Sequence, residues 1–385
     1  MIPLKYNLRS LRVRWATTLL TCLAIGVVVF ASVLTFGMIA GIEHALSASG
    51  DPEDIIIMRK GSTDEMSSTV SATNARELAN LPGIAKGKNG EPLSSREFVT
   101  IALKPRRNKG GTANVIVRGL DQVGRQLRPD FKIVEGRDLK PGVNELITSR
   151  SIAKRFENLG LGEQFDINNV DFTVVGYFEA GGSSAESEVW ADLRDVTSAQ
   201  RYEGAVSVVN LRVRDAAVRQ QIMDRVRDDE QFKLKAITET DYFENQKSSS
   251  IAIKVVAYII AGFLTVGAMF AAANTMYAAV SSRGREIGTL RAIGFPRRAV
   301  LTSFLLESLV LCSLGGLLGC LATLPLNGLS GGTSISFSEI TFSFRFGPSV
   351  LLQGMSLAIA MGLIGGLFPA IRAIRLQITD ALRQR

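Results

Sequence analysis

The sequence predicts an integral membrane protein: four transmembrane α-helices in a 1+3 arrangement, with a large α+β extracytoplasmic domain inserted between helices 1 and 2. Three observations predict this. Four stretches are long, apolar and nearly free of charge. The roughly 200 residues between the first two stretches mix strand and helix patterning. The excess basic residues fall in segments that such a topology places on one side of the membrane.

The spans are residues 16–41, 251–281, 300–326 and 349–371. Each exceeds the roughly 20 residues needed to cross a hydrocarbon core about 30 Å thick. Buried helices of soluble proteins rarely run past about 20 residues, and four of them in one chain exclude that reading. The first span also resembles a signal peptide. Lys5, Arg9, Arg12 and Arg14 precede it, and Ala45-Leu46-Ser47 looks like a cleavage site. A signal peptide's apolar region is only about 7–15 residues, so a retained anchor is expected. A 46% hydrophobic content and a positive mean hydropathy agree with spans but do not locate them.

Charge sets the orientation. The arm 1–15 carries Lys5, Arg9, Arg12 and Arg14 and no acid. The loop 282–299 carries Arg283, Arg285, Arg291, Arg297 and Arg298 against Glu286, and the tail 372–385 carries Arg372, Arg375, Arg383 and Arg385 against Asp380. Together these segments hold a net +11 against +8 for the whole chain, so the remainder nets −3. Excess cation marks the cytosolic side. Both termini and the 282–299 loop are therefore expected in the cytosol, with 42–250 and the loop 327–348 outside. The pI near 9.5 reports topology rather than nucleic-acid binding. Cys22, Cys312 and Cys320 all lie within spans, so the 42–250 domain is expected to fold without disulfides.

Within that domain, 54–59 reads as a buried strand, and alternation at Val170, Phe172, Val174 and at Val209, Leu211, Val213 marks half-buried ones. Residues 74–80 and 216–227 read as helices, the second from Val218, Ile222 and Val226 recurring every four residues. The pattern allows two subdomains. It offers little chemistry. His44 is the single histidine and has no Cys or His partner, which argues against a metal site. Gly83-Ile84-Ala85-Lys86-Gly87-Lys88-Asn89 echoes a phosphate loop but is one residue short and ends on Asn. There is no G-x-S-x-G elbow. Glu186 and Glu188 are expected as surface charges, and 104–109 as a solvated hairpin tip that could touch lipid or a partner.

The spans carry small-residue pairs: Gly315 with Gly319, and Gly362 with Gly366. G-x-x-x-G ridges let helix backbones approach closely, within one protomer or between two. Glu307 is the acidic residue inside a span. It is expected either to snorkel and pair with Arg297 or Arg298, or to face a helix–helix contact. Lys254 near the outer end of span 2 reads as a snorkelling anchor. In the 282–299 loop, Ile287, Leu290 and Ile293 form a narrow apolar stripe among arginines, which suits a headgroup layer or a groove on a cytosolic partner.

The run 274–294 resembles the N-x-M-x-x-x-V-x-x-R-x-x-E-I-G-x-L-R-A-I-G signature of MacB/FtsX-type (type VII) ABC transporter permeases. Asn274, Met276, Val280, Arg283, Glu286, Ile287, Gly288, Leu290, Arg291, Ala292 and Gly294 match it. Asn7-Leu8-Arg9-Ser10-Leu11-Arg12, Glu307 with Gly315-Gly316, and Gly366-Leu367-Phe368-Pro369-Ala370 before Asp380-Ala381-Leu382-Arg383 agree. Val134-Glu135-Gly136-Arg137, Asn144-Glu145-Leu146-Ile147 and Glu188-Val189-Trp190-Ala191-Asp192-Leu193 resemble the MacB-like periplasmic core domain. The chain departs from many relatives at Gln377-Ile378, where they carry an acid and a proline.

The resemblance implies a permease of the bacterial plasma (inner) membrane that is not itself an enzyme. ATP and Mg²⁺ would be handled by a separate ABC ATPase subunit docked at Arg283, Arg285, Glu286, Ile287, Gly288, Leu290, Arg291, Ala292 and Gly294. It implies a homodimer or heterodimer, movement of the outer domain driven by ATP (mechanotransmission), and export or efflux with a periplasmic adaptor (membrane fusion protein). Extraction of lipoproteins or lipids is the alternative with the same fold. Regulation of cell-wall hydrolases without transport is an alternative of another class, and usually goes with a smaller outer domain.

Overall fold

The computed structural model describes residues 15–375 apart from 88, 108–109, 129, 230–231, 250 and 336–337. The basic arm with Lys5, Arg9, Arg12 and Arg14 lies outside the described residues. So do Gln377-Ile378 and the tail residues Asp380, Arg383 and Arg385. In chain order the helices are α1 (Trp15–Ser47), α2 (Ala72–Ala79), α3 (Gln122–Leu127), α4 (Arg150–Arg155), α5 (Leu193–Ala199) and α6 (Ala216–Asp228). They continue with α7 (Glu239–Ser249), α8 (Ile251–Ser282), α9 (Gly284–Ala292), α10 (Arg297–Thr323) and α11 (Pro348–Arg375). The chain divides into two compact units. One comprises residues 1–40, 252–329 and 344–385, and the other 41–251 and 330–343.

Among the described residues, α1, α8, α10 and α11 are the four helices long and apolar enough to cross a membrane. Lipid offers backbone groups no partner, so an apolar run must bond internally as helix. Polar side chains follow the same rule by folding back one turn. Thr21 donates to the Thr17 carbonyl at 2.8 Å, Ser32 to Val28 at 2.9 Å and Thr265 to Ala261 at 2.7 Å. With 33 and 32 residues, α1 and α8 are each about 50 Å long. That is about 20 Å more than the hydrocarbon core. Ile25, Val29, Val33, Ala268, Ala272, Cys312, Ala358 and Met361 form the shared core of these helices.

The second unit is built on one ten-stranded sheet. Its strands are β1 (Asp54–Arg59), β3 (Ser94–Pro105), β4 (Thr112–Leu120), β5 (Phe131–Gly136), β6 (Glu145–Ser149) and β7 (Gln164–Ile167), then β8 (Val170–Ala180), β9 (Glu188–Asp192), β11 (Val208–Arg212) and β12 (Leu234–Thr238). The order is β12-β1-β11-β3-β4-β9-β6-β8-β5, with β7 on β8. β4–β9 and β6–β8 are parallel and the other pairs antiparallel. The pair β2 (Val70–Ser71) and β10 (Ala205–Val206) stands apart. Helices start where the sequence supplies a cap: Ser71, Asp121, Ser149, Asp192 and Asp215 each accept a backbone N–H of the first turn. On α6, Ile222 and Val226 are the buried residues, as their spacing predicts.

The long strand β3 joins two halves of this sheet, pairing with β11 through Ser94–Glu97 and with β4 through Phe98–Pro105. Each half has its own core, one around Phe156, Phe165, Phe172 and Val189 and one around Ile55, Ile57, Val209 and Leu211. Between them, Arg118 on β4 is buried and bonds three carboxylates: Glu65 at 2.6 Å, Glu97 at 2.7 Å and Glu188 at 2.7 Å. Glu188 is therefore no surface charge. It sits in the sheet with the Trp190 indole donating to it at 2.8 Å. Of the 104–109 run, 104–107 lie at the end of β3 and just past it, where Lys104 pairs with Asp166 at 3.3 Å, and 108–109 lie outside the described residues.

Residues 327–348, expected only as a loop, contain a hairpin of β13 (Ser330–Ile335) and β14 (Ser338–Ser343). This hairpin belongs to the second unit, against β4 and the 3-10 turn Ser184–Ser187. The chain therefore passes between the units four times: at 40/41, 251/252, 329/330 and 343/344.

Candidate functional site

The segment after α8 folds as the short helix α9. The Ile287 N–H bonds the Arg283 carbonyl at 3.0 Å. The helix ends in a Schellman motif, with the Phe295 N–H on the Leu290 carbonyl and the Gly294 N–H on the Arg291 carbonyl, both 3.1 Å. Gly294 has φ +105°, a conformation side chains resist, which is the physical reason for glycine at this point of the signature. Pro296 follows as the N-cap of α10.

Ile287 is buried in a cluster with Met276, Val280, Val300, Phe304, Ala370 and Ala373. The expected stripe through Ile293 does not continue. Ile293 is the cap residue, beyond the last full turn, and is 72% exposed. The exposed residues are Arg285, Glu286, Thr289, Ala292 and Ile293. Their spacing of i, i+1, i+4, i+7 and i+8 is that of one helix face. Leu290 is half-buried, and Gly288 is buried with Ile287.

Two arginines fasten α9 to the membrane helices. Arg283 Nη1 donates to Glu307 Oε2 at 3.0 Å and its Nε to Glu286 Oε2 at 3.0 Å. Its guanidinium also stands 5.7 Å from the centre of the Phe304 ring. Arg291 Nη1 donates at 3.3 Å to the carbonyl of Ile374, in the last turn of α11. Glu307 thus pairs with Arg283, correcting the expected pairing with Arg297 or Arg298. Those two stay exposed at the start of α10, while Glu307, ten residues on, is 4% exposed. A cavity of about 400 Å³ beside it is lined by Thr17, Thr21, Asn274 and Thr275.

The glycine pairs bring helices together within one chain. A Cβ on Gly315 would lie 2.8 Å from the Cys22 carbonyl oxygen, and one on Gly319 2.6 Å from that of Gly26, so both face α1. On α11, a Cβ on Gly362 would lie 3.0 Å from Cys312 Cβ and one on Gly366 2.6 Å from Ser308 Cβ, so both face α10. The Ser308 hydroxyl seals this contact by donating to the Gly362 carbonyl at 2.8 Å.

In the inserted domain, ionisable groups form buried networks rather than an acid/base pair. Burial works to raise the Glu97 carboxyl, but Arg128 and then Arg118 overcome it and hold it at about 2. Glu239, at the start of α7, is pushed up to about 8 by burial, against the pull of Arg128. Its Oε2 accepts the Asp51 N–H at 3.0 Å. Burial likewise lifts Asp54 to about 6 despite its bonds to Arg212. Among the described residues no group of His, Cys, Asp and Glu is arranged to hold a metal ion.

Four membrane-spanning helices, a large α/β domain inserted after the first, and a short helix fastened between the second and third define a permease-like membrane protein. The family model of the MacB-like periplasmic core domain matches residues 18–229, and that of the FtsX-like permease C-terminal region matches 258–378. The chain belongs to the MacB/FtsX-like ABC transporter permease family. It is 26% identical over 93% of its length to the macrolide export ATP-binding/permease protein MacB of Bdellovibrio bacteriovorus, and spans 58% of that relative's length. It is 38% identical, over 29% of its length and 25% of the relative's, to the uncharacterized ABC transporter permease YvrN of Bacillus subtilis. Among solved structures, the periplasmic region of MacB from Actinobacillus actinomycetemcomitans aligns with 53% of this chain and 96% of its own. The TM-score is 0.39 and the identity 13%.

Proposed function

We propose that this chain is the permease subunit of an exporter, converting ATP hydrolysis by a separate ATPase subunit into movement of the inserted domain. It would sit in the bacterial inner membrane with both termini and α9 in the cytosol and the inserted domain outside. The observation that carries this reading is α9. One face is fastened to α10 and α11 through Arg283–Glu307 and Arg291–Ile374, and the opposite face presents Arg285, Glu286, Thr289, Ala292 and Ile293. A helix seated in a cleft of the ATPase could hand its displacement to both membrane helices. The extended helices α1 and α8 would carry it outward. ATP and Mg²⁺ belong to the partner in this reading.

The working assembly is a dimer of permease protomers. Of the four spans α8 is the least buried, with Val255, Tyr258, Ile259, Phe263 and Phe270 at its surface, which supports its facing lipid and a second protomer. A periplasmic adaptor is the expected outer partner for export.

Thr289→Lys combined with Ile293→Asp alters the presented face and leaves Arg283, Glu286, Glu307 and Arg291 in place. Pull-down of the ATPase subunit should fall at least about ten-fold, the equivalent of 1.4 kcal/mol, with the chain still inserted. Undiminished co-purification of the ATPase would sink the docking claim.

A further inference from the structure

The 3-10 turn Ser184–Ser187 receives two separate parts of the chain. At its first residue it meets Ser49, just past the end of α1. The Ser49 hydroxyl donates to the Ala45 carbonyl at 2.7 Å and accepts the Ser184 N–H at 2.8 Å, with the Ser184 hydroxyl also 2.8 Å away. One hydroxyl offers one donor and two acceptor positions, and here all three are used. At its last residue the turn meets β14. Ser187 Oγ accepts the Thr341 N–H at 2.8 Å and lies 3.4 Å from the Thr341 carbonyl oxygen. Arg155 at the end of α4 adds a contact to Thr341 Oγ1 at 3.4 Å. Ser49, Ser187 and Thr341 are all buried.

The turn between these grips is stiff. Glu186 Oε1 accepts the N–H groups of Ala180 and Gly182, both at 2.8 Å, tying the turn to the end of β8. At about 2 Å rise per residue, Ser184 and Ser187 are separated by about 6 Å along the turn axis. The next residue is Glu188, whose carboxylate bonds Arg118 in the middle of the sheet.

We propose that the turn Ser184–Ser187 is a mechanical junction, held jointly by the end of α1 and by the hairpin between α10 and α11. Ser49, Ser187 and Thr341 are its positioning residues. Displacement of either membrane attachment then enters the sheet at one place, beside Glu188. The joint grip is a property of the inserted domain itself, while its use in an ATP-driven cycle rests on the function proposed above.

Residue-resolved hydrogen exchange on the full chain in nanodiscs tests the grip without ATP or a partner. Ser187→Ala removes the acceptor of the Thr341 N–H, and Ser49→Ala that of the Ser184 N–H. Each variant should speed exchange at its own amide about five-fold or more. A shared stiff turn also requires each to speed exchange at the other amide, because coupling between two contacts is reciprocal. A Ser49→Cys/Ser184→Cys disulfide should abolish the effect of Ser187→Ala on the Ser184 amide and leave that on Thr341. Effects confined to the directly altered amide in both variants overturn the junction. Failure of ATPase docking at α9 would overturn the transport reading and leave this result standing.

Discussion

Arg283 Nη1 stands 3.0 Å from Glu307 Oε2, and the two side chains are 10% and 5% exposed. A carboxylate at this depth is costly alone, and the arginine that satisfies it comes from the N-terminal flank of α9. Removing one partner of a buried ion pair leaves the other charge stranded, at about 3–5 kcal/mol. Glu307→Ala should therefore lower resistance to SDS-driven unfolding by several kcal/mol, and Glu307→Gln by less. The same variants should speed exchange of the Gly284–Ala292 amides. Unaltered exchange there would mean the pair does not hold α9.

Arg118 stands in the same relation to the inserted domain, with three carboxylates to strand. Arg118→Met should cost about 3–5 kcal/mol, read by denaturant unfolding with Trp190 fluorescence. Trp190 stacks on Phe178 at 4.3 Å and would report the loss. Acid should act as a milder version. Glu97 is held at about 2, below an unfolded value near 4.3. Its share of stability is complete above pH about 4.3 and is lost as pH falls through about 2.

Glu239 has the opposite sign. Its carboxyl titrates at about 8 when folded and near 4.3 when unfolded. Between those values the folded state binds more protons, so stability falls as pH rises, by at most about 1.4 kcal/mol per pH unit. Arg128, Asp54, Glu97 and the Asp51 N–H surround it. Glu239→Gln should flatten this slope between pH 5 and 8 in unfolding titrations. An unchanged slope would assign it to other groups.

Gly319→Val places a branched side chain against the Gly26 carbonyl and Val29. Forced separation of α1 and α10 should cost about 1–3 kcal/mol, seen as a lower SDS midpoint. The same change at Gly262, where an added Cβ meets nothing within 4 Å, is the control and should leave the midpoint within about 0.5 kcal/mol.

The four spans were legible because a charge-free run longer than about 20 residues has few other solutions. The Schellman end of α9 was not read, although a glycine at 294 followed by Pro296 is a helix stop signal. The partner of Glu307 was not, because sequence proximity favours Arg297 and Arg298. Choosing Arg283 requires knowing that α9 folds back along α10. Glu188 was misread for a similar reason. Its burial depends on Arg118, seventy residues away, and no local pattern announces a buried ion pair. The β13–β14 hairpin was hidden by its composition, since Ser330-Gly331-Gly332-Thr333-Ser334 lacks the apolar alternation that marks a strand.

That hairpin also has a consequence for biogenesis. A ribosome completes residues 41–251 about ninety residues before it reaches Thr341, and two further membrane segments must be placed before β14 can arrive. Until then the Ser187 hydroxyl and the Arg155 side chain lack the strand that covers them. The inserted domain therefore finishes folding only after α8 and α10, which precede the hairpin in the chain, have been made. Nascent chains stalled before residue 330 should display this seam to chaperones and proteases, and release of the full chain should close it.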